Sequence, residues 1–155
     1  MIRPTQPEDT TAILAIAKAI GFQSDELEVL SEMLVDTFNG NREQFWFTDD
    51  DQGPVGVAYC ASERMTTGTW NLLFLAVHPE HQGQGRGTAL VHYVEQVLTA
   101  QGVRQLLVET SGLPSFKRTQ TFYRQCGYEA EARIREFYAA GDDKIVYRKV
   151  LKAES

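Results

Sequence analysis

Leu72-Leu73-Phe74-Leu75-Ala76-Val77-His78-Pro79-Glu80-His81-Gln82-Gly83-Gln84-Gly85-Arg86-Gly87 is the stretch whose reading decides the fold. Trp70 to Val77 is a nearly continuous apolar run, the pattern of a central strand covered on both faces. It leads into a loop, Pro79 to Gly87, with three alternating glycines. Leu90, Val91, Val94, Val97 and Leu98 then carry the spacing of one helix face, and Gly102 stops that helix. The first turn of a helix has N–H groups without intrahelical partners and the positive end of the dipole. Glycine lets a backbone approach a ligand closely and adopt otherwise strained angles. Strand, glycine loop and helix start together make a site for phosphate or pyrophosphate.

Three other readings of the loop compete. A glycine-rich turn at a helix start can be purely structural. A nucleotide-binding P-loop would end in Gly-Lys-Ser/Thr, whereas this one ends in Gly87-Thr88 with no Lys. A dinucleotide site is suggested by Glu109, which closes the next strand where a ribose-binding acid would stand. Its glycines, however, should follow their strand at once as Gly-x-Gly-x-x-Gly. Here the strand ends near His78 and the spacing is Gly-x-Gly-x-Gly.

Outward from the loop, the periodicity changes several times. Ile2-Arg3 reads as a short first strand, punctuated by Pro4 and Pro7. Ile13, Leu14, Ala17 and Ile20 mark one face of a helix over 11–20, ended by Gly21. A second helix starts near Ser24 or Asp25, where Asp25 and Glu28 have capping-box spacing. Leu27, Leu30, Met33, Leu34 and Phe38 form its apolar stripe, and Asn39-Gly40-Asn41 ends it. Phe45-Trp46-Phe47 and Val55 to Ala61 are strands around the turn Asp49-Asp50-Asp51-Gln52-Gly53. With Trp70 to Val77, reached through Thr67-Gly68, they form an antiparallel meander. Leu106-Leu107-Val108 is a buried strand, parallel to Trp70–Val77 after the helical crossover. A short helix spans about 115–125 and is ended by Gly127. Strands at about 128–138 and 144–151 flank the turn Gly141-Asp142-Asp143. The order βααβββ-loop-αβαββ predicts an α+β fold, a three-layer α/β/α sandwich. Its central sheet is mixed and mostly antiparallel, with one parallel pair.

The 155 residues suggest one domain spanning 1–155, large enough to bury a core without disulfides or metal. With 43% hydrophobic and 23% charged residues the chain is of ordinary globular composition. A net charge of −6 argues against a nucleic-acid partner but not against one small anion, which feels the local field. Cys60 and Cys126 lie among apolar or aromatic neighbours and read as reduced, buried thiols. His78 and His81 have HxxH spacing without further ligands, so they read as loop histidines and no metal is expected. The start, Met1-Ile2-Arg3-Pro4, has no apolar signal region, and no run is long enough to span a membrane. A cytoplasmic protein with no membrane partner is expected.

Gln82-Gly83-Gln84-Gly85-Arg86-Gly87 resembles the Gln/Arg-x-x-Gly-x-Gly/Ala signature of the GNAT acetyltransferases. Ala76-Val77-His78-Pro79-Glu80 is similar to their strand-to-loop junction. Phe122-Tyr123-Arg124-Gln125-Cys126-Gly127-Tyr128 looks like their Tyr-x-x-x-Gly-Phe/Tyr segment. A helix, a strand and a helix lie between the two motifs, and the pair is more specific than either alone.

The resemblance implies acetyl-CoA as cosubstrate and transfer of its acetyl group to a primary amine of a small molecule or peptide. Gln82, Gly83, Gln84, Gly85, Arg86, Gly87 and Thr88 would hold the pyrophosphate through their backbone. Leu75, Ala76 and Val77 would pair with the pantetheine arm, and their side chains also suit the core. Tyr123 matches the usual general acid, which protonates the leaving thiolate. Tyr123 also suits the core, although Phe122 is the more natural core residue. The glutamate that family members often carry on the central strand is absent. Leu72, Leu73 and Phe74 stand there, and Asn71 is the nearest polar residue. Glu109 and Glu63, each at a strand end, are candidate replacement bases, Glu109 being preferred; each also reads as a solvated strand-end carboxylate, and a water chain from a backbone carbonyl or an already neutral amine would serve in place of a side-chain base. The family's Asn before the Tyr is replaced by Phe116. Lys117, Arg118 and Arg124 are candidates for the 3′-phosphate of CoA. Phe22, Phe38, Trp46, Trp70, Phe137 and Tyr138 suggest an aromatic acceptor pocket, and Asp142-Asp143 suits a cationic amine. A homodimer is compatible with the family. The missing strand glutamate keeps a second reading open, a non-catalytic acyl-CoA-binding module. In a third, the chain is a protein-interaction subunit whose loop is scaffolding.

Overall fold

A computed structural model describes residues 1–40 and 43–152. The elements are β1 (Ile2–Pro4), α1 (Thr10–Ala19), α2 (Ser24–Phe38), β2 (Gln44–Asp50), β3 (Pro54–Ser62), β4 (Thr69–Val77), α3 (Arg86–Ala100), β5 (Gln105–Ser111), α4 (Lys117–Gln125), β6 (Glu129–Ala139) and β7 (Asp142–Val150). Single 3-10 turns, each opened by a proline, lie at Pro7–Asp9, Pro79–His81 and Pro114–Phe116. The strands form one sheet in the order β1-β2-β3-β4-β5-β7-β6. Pairing is antiparallel at β1–β2, β2–β3, β5–β7 and β6–β7, and parallel at β4–β5. The mixed α+β sheet and the order of elements agree with the sequence reading.

Several local expectations differ. Asp49 and Asp50 are not turn residues but the end of β2, where they pair with Gly56 and Pro54 of β3 and with β1. Cross-strand hydrogen bonds outweigh the weak strand preference of Asp here. The turn shrinks to Asp51–Gly53, with Gln52 and Gly53 both at positive φ. Asp142 and Asp143 likewise open β7. The cap of α2 is Gln23, not Asp25: the Gln23 N–H donates to Glu26 Oε1 at 3.0 Å. Gln is a poor cap by side chain, so spacing alone could not find it. Asn39 and Gly40 end α2, Gly40 with φ 96°. Asn41 lies outside the described residues.

The chain divides into two compact units, Met1–Ala61 with Phe74–Gln96, and Ser62–Leu73 with Val97–Ser155. In the first, Ile13, Ile16 and Ala17 of α1 and Leu30 and Leu34 of α2 bury against Trp46, Val57, Tyr59 and Ala76. Each fully buried aliphatic side chain stabilises by roughly 1.5–3 kcal/mol. Ile20, read as part of the α1 stripe, falls beyond the last helical residue and is exposed. Gly56 of β3 lies close against α3: a Cβ built there would stand 3.0 Å from Leu90 Cδ1 and 3.4 Å from the Ala76 carbonyl oxygen.

In the second unit, β4 pairs with β5 from Thr69↔Gln105 to Leu72↔Val108. Leu106, Val108, Tyr123, Tyr128, Ile145 and Tyr147 form its interior. The continuous apolar run of β4 predicted cover on both faces throughout. Thr69 to Leu72 are buried, but Leu73 is 50% exposed and Phe74 and Leu75 are half-buried. Strand β6 is exposed at every residue and irregular at Glu131 and at 135–138. Charges and bulges of this kind keep an edge strand from pairing further. Among the described residues no helix is long and apolar enough to cross a membrane.

Candidate active site

The glycine loop begins where β4 ends. The Gln82 side chain donates to the Val77 carbonyl at 3.0 Å, holding the loop against its strand. Gly83 and Gly85 adopt φ of 77° and 78°, which a side chain disfavours. A Cβ at either would meet no heavy atom within 4 Å, so the backbone there faces open space. α3 starts at Arg86, and Ala89 N–H closes the first helical bond on the Gly85 carbonyl at 3.0 Å. The amides of Arg86, Gly87 and Thr88 therefore precede the intrahelical ladder at the positive end of the dipole. Open glycine backbone running into a helix N-terminus fits a pyrophosphate.

The Arg86 side chain is engaged elsewhere. Its Nη1 donates to Asp49 Oδ2 at 3.1 Å, its Nη2 to Asp51 Oδ2 at 2.5 Å and its Nε to Gln84 Oε1 at 3.2 Å. A cation at a helix N-terminus is unfavourable, and the two carboxylates offset it. Arg86 thus braces the loop against the β2–β3 turn, and its backbone rather than its guanidinium faces the anion site.

A second feature lies where β4 still pairs with β5. Asn71, opposite Leu107, is 1% exposed in an otherwise apolar stretch. Its Nδ2 donates to Glu63 Oε1 at 3.1 Å and to Glu109 Oε2 at 2.8 Å. Two carboxylates can only accept, which fixes the orientation of the amide. Asn71 Oδ1 is buried without a hydrogen-bond partner among the described residues. Lys144 Nζ meets Glu109 Oε1 at 2.7 Å and lies 4.0 Å from the centre of the Phe137 ring. Burial, then the charges of Glu109 and Asp142, raise the pKa of Tyr138, so its phenol holds its proton. Asp142 accepts a hydrogen bond from Ser111 Oγ. The sequence reading named Glu63 and Glu109 separately and set Asn71 aside as no base. The structure makes Asn71 the link between them. The available signal was a lone carboxamide inside a buried strand, which has to find partners.

Tyr123 of α4 is buried, with its ring against Phe122, Tyr128 and Tyr147. Desolvation raises the pKa of its phenol, which stays neutral. The expectation that Phe122 is the core residue is reversed: Phe122 is half-buried, and Tyr123 packs on the tyrosines of β7 and the β6 approach. Lys117 and Arg118 line one surface pocket with Phe122, while Arg124 lines another with Gln120 and Arg133. The three basic residues therefore do not converge. Of the six aromatic residues, Trp46 belongs to the core cluster against which Phe22 and Phe38 pack, Trp70 is buried, and Phe137 and Tyr138 are exposed on β6. Cys60 and Cys126 are both buried, as read.

The mixed sheet, the glycine loop after β4 and the helix behind it define a CoA-dependent acyltransferase. The acetyltransferase (GNAT) domain family matches residues 41–130. The chain belongs to this GNAT family and is an acetyltransferase using acetyl-CoA, which sets aside the binding-module and scaffold readings. A GNAT-family protein from Desulfovibrio desulfuricans is 31% identical, with 97% of this chain and 98% of that one covered at a TM-score of 0.92. The ribosomal-protein-S18-alanine N-acetyltransferase of Escherichia coli is 19% identical over 100% of this chain and 96% of its own, at a TM-score of 0.80. An aminoglycoside 6′-N-acetyltransferase complexed with coenzyme A is 17% identical over 100% and 99%, at 0.81. At these lower identities the likeness is one of fold. No curated protein sequence matches the chain significantly.

Proposed function

We propose that this acetyltransferase moves the acetyl group of acetyl-CoA directly to a primary amine of a small molecule or peptide. The observation that carries the reading is the pair of carboxylates, Glu63 and Glu109, held on the buried Asn71 amide. An aliphatic amine arrives as an ammonium ion and must lose a proton before its nitrogen can attack. Here β4 itself supplies no base, and its neighbours supply two. Glu109 takes that proton: each carboxylate oxygen has two lone pairs, so Oε2 can hold Asn71 and still accept another. The amine nitrogen then bonds to the thioester carbonyl carbon, the carbon–sulfur bond breaks, and the neutral Tyr123 phenol donates a proton to sulfur; the second proton that leaves the nitrogen as the amide forms restores the phenol, and Glu109 gives the first to solvent. The backbone of Gln82 through Thr88 holds the pyrophosphate, and the backbone of Leu75, Ala76 and Val77 lies along the pantetheine arm. The half-buried state of Leu75 and the exposure of Leu73 support that strand being reachable.

The test is calorimetric titration with acetyl-CoA, wild type beside Gly85→Glu, followed by thiol release and product mass with a panel of amines. Tight binding lost in the variant, with acetyl appearing on an amine, is expected. Binding without transfer to any amine would overturn the reaction; no binding would overturn the loop assignment. Tyr123→Phe should lower kcat by roughly a hundredfold or more with acetyl-CoA affinity retained. An unchanged chemical step would remove Tyr123 from the mechanism.

A further inference from the structure

We propose that Glu63, seated on Asn71, is the subsite that docks the cationic end of the acceptor, and that the acceptor class is an aliphatic amine bearing positive charge and no carboxylate. The proposal rests on the reaction given above and names the substrate class for it.

Within this cluster the two carboxylates are not equivalent. Glu109 has a donor on each oxygen, Asn71 on Oε2 and Lys144 on Oε1. Its side chain is 27% exposed. Glu63 is exposed, and among the described residues its side chain accepts from Asn71 through Oε1. Glu63 is therefore the more open carboxylate of the pair, placed to bind a charged end of the acceptor other than the nitrogen whose proton Glu109 takes. The local field has the same sign. Lys144 pairs with Glu109, and the charges of Glu109 and Asp142 reach the Tyr138 phenol. Lys144 itself shows how an ammonium is held here, between a carboxylate oxygen at 2.7 Å and an aromatic face at 4.0 Å. A second carboxylate on the acceptor would be repelled by this field, and a second ammonium would be attracted.

A matched series of probes tests the idea: diaminobutane, butylamine and aminobutyrate, of similar length and falling positive charge. Each is titrated calorimetrically into the protein saturated with CoA, and acetyl transfer to each is measured separately. Diaminobutane should bind most tightly and aminobutyrate least. Glu63→Gln should weaken diaminobutane by about tenfold, the loss of one charged hydrogen bond, and leave acetyl-CoA affinity unchanged. Glu131→Gln, an exposed carboxylate of β6, is the control for general surface charge and should leave all three affinities as they are. Equal binding of aminobutyrate and diaminobutane, or unchanged amine affinities in Glu63→Gln, would overturn the subsite. Glu63-dependent binding in the expected order with no acetyl transfer would instead overturn the reaction and leave the subsite standing.

Discussion

Replacing Asn71 with Asp exchanges one NH2 for one oxygen and changes nothing else in shape. The consequence is set by the partners. Asn71 gives one hydrogen to Glu63 and one to Glu109. An ionised carboxylate in its place would give none and would be a buried third negative charge within hydrogen-bonding distance of two others. Burial and like charge both disfavour the ionised form, and together they raise a carboxyl by about 3 pKa units from an ordinary value of about 3.9. One unit corresponds to about 1.4 kcal/mol. A raised folded-state pKa means the folded protein holds the proton longer than the unfolded chain. Below the ordinary value both states are protonated and this cost vanishes; it then grows as pH rises, until the folded-state group also ionises near pH 7. The variant should lose about 1.5 kcal/mol at pH 5 and about 4 kcal/mol at pH 8 from this source. In a chain of this size that difference moves Tm by roughly 5–10 °C. Thermal and urea denaturation of wild type and variant at both pH values is the assay. Asn71→Leu, which removes the amide without adding charge, should show no such pH dependence. Equal losses for Asn71→Asp at both pH values would refute the placement of Asn71 between Glu63 and Glu109.

The remaining predictions concern the frame around the site. Gly56→Ala adds a methyl 3.0 Å from Leu90 Cδ1. Overpacking of this kind costs about 1–3 kcal/mol against a gain of about 0.4–1 kcal/mol from the stiffer unfolded chain, so urea denaturation should show a net loss of about 1 kcal/mol. A neutral or stabilised variant would mean that Leu90 yields without strain. Burial pushes the Cys60 thiol up to about 12 from 9.0. Its stability contribution is therefore complete below pH 9 and lost as pH rises towards 12, and native protein at pH 8 should label at Cys60 only as fast as it unfolds. Rapid stoichiometric labelling of Cys60 in the native state would contradict this. Asp9 accepts Arg3 Nη1 and Nη2 at 2.7 and 2.9 Å and the Gln6 N–H at 2.8 Å, and the Arg3 guanidinium holds its carboxyl below the ordinary 3.8. Asp9→Asn should cost about 2 kcal/mol at neutral pH, less than a fully buried pair because Asp50 still holds Arg3. A depressed folded-state pKa gives stability above the ordinary value that is lost as pH falls through the folded one. The variant should therefore show a shallower acid limb than wild type below about pH 4.

The framework was legible because its signals are local. Apolar runs of period two or near 3.6, broken by glycines that need positive φ, located the strands and helices of the described residues, and the glycine loop was read from the chain alone. The errors arose where tertiary contacts override local preference. Asp49-Asp50 and Asp142-Asp143 look like turn residues, yet each pair extends a strand. Ladder pairing and charge partners hold them there: Arg86 and the N-terminus on Asp49, Arg3 on Asp50, Arg133 on Asp143. The choice of Phe122 over Tyr123 as the buried ring could not be made from a nine-residue helix, because both lie near its apolar face and only Tyr147 and Tyr128 decide between them. The candidate base was half legible. Glu63 and Glu109 stood out as strand-end acids, but their meeting depends on the parallel register of Asn71 with Leu107, which no spacing in the chain displays.

The substitution of a carboxamide for an acid on β4 has a physical logic of its own. An acid in place of Asn71 would be almost wholly buried, and with Glu63 and Glu109 beside it at least one of the three would have to stay protonated. The amide instead presents two hydrogens to two acceptors, so a single buried group holds both carboxylates. The charge is carried by residues at strand ends, one exposed and one half-buried, where water and Lys144 offset its desolvation. Proton acceptance and cation docking can then reside on different side chains, Glu109 beside Lys144 and Glu63 toward solvent. A single glutamate on β4 would have to do both. If that division is correct, Glu109→Gln and Glu63→Gln fail differently, the first chiefly in kcat and the second chiefly in amine affinity. A shared acid would make the two variants fail alike.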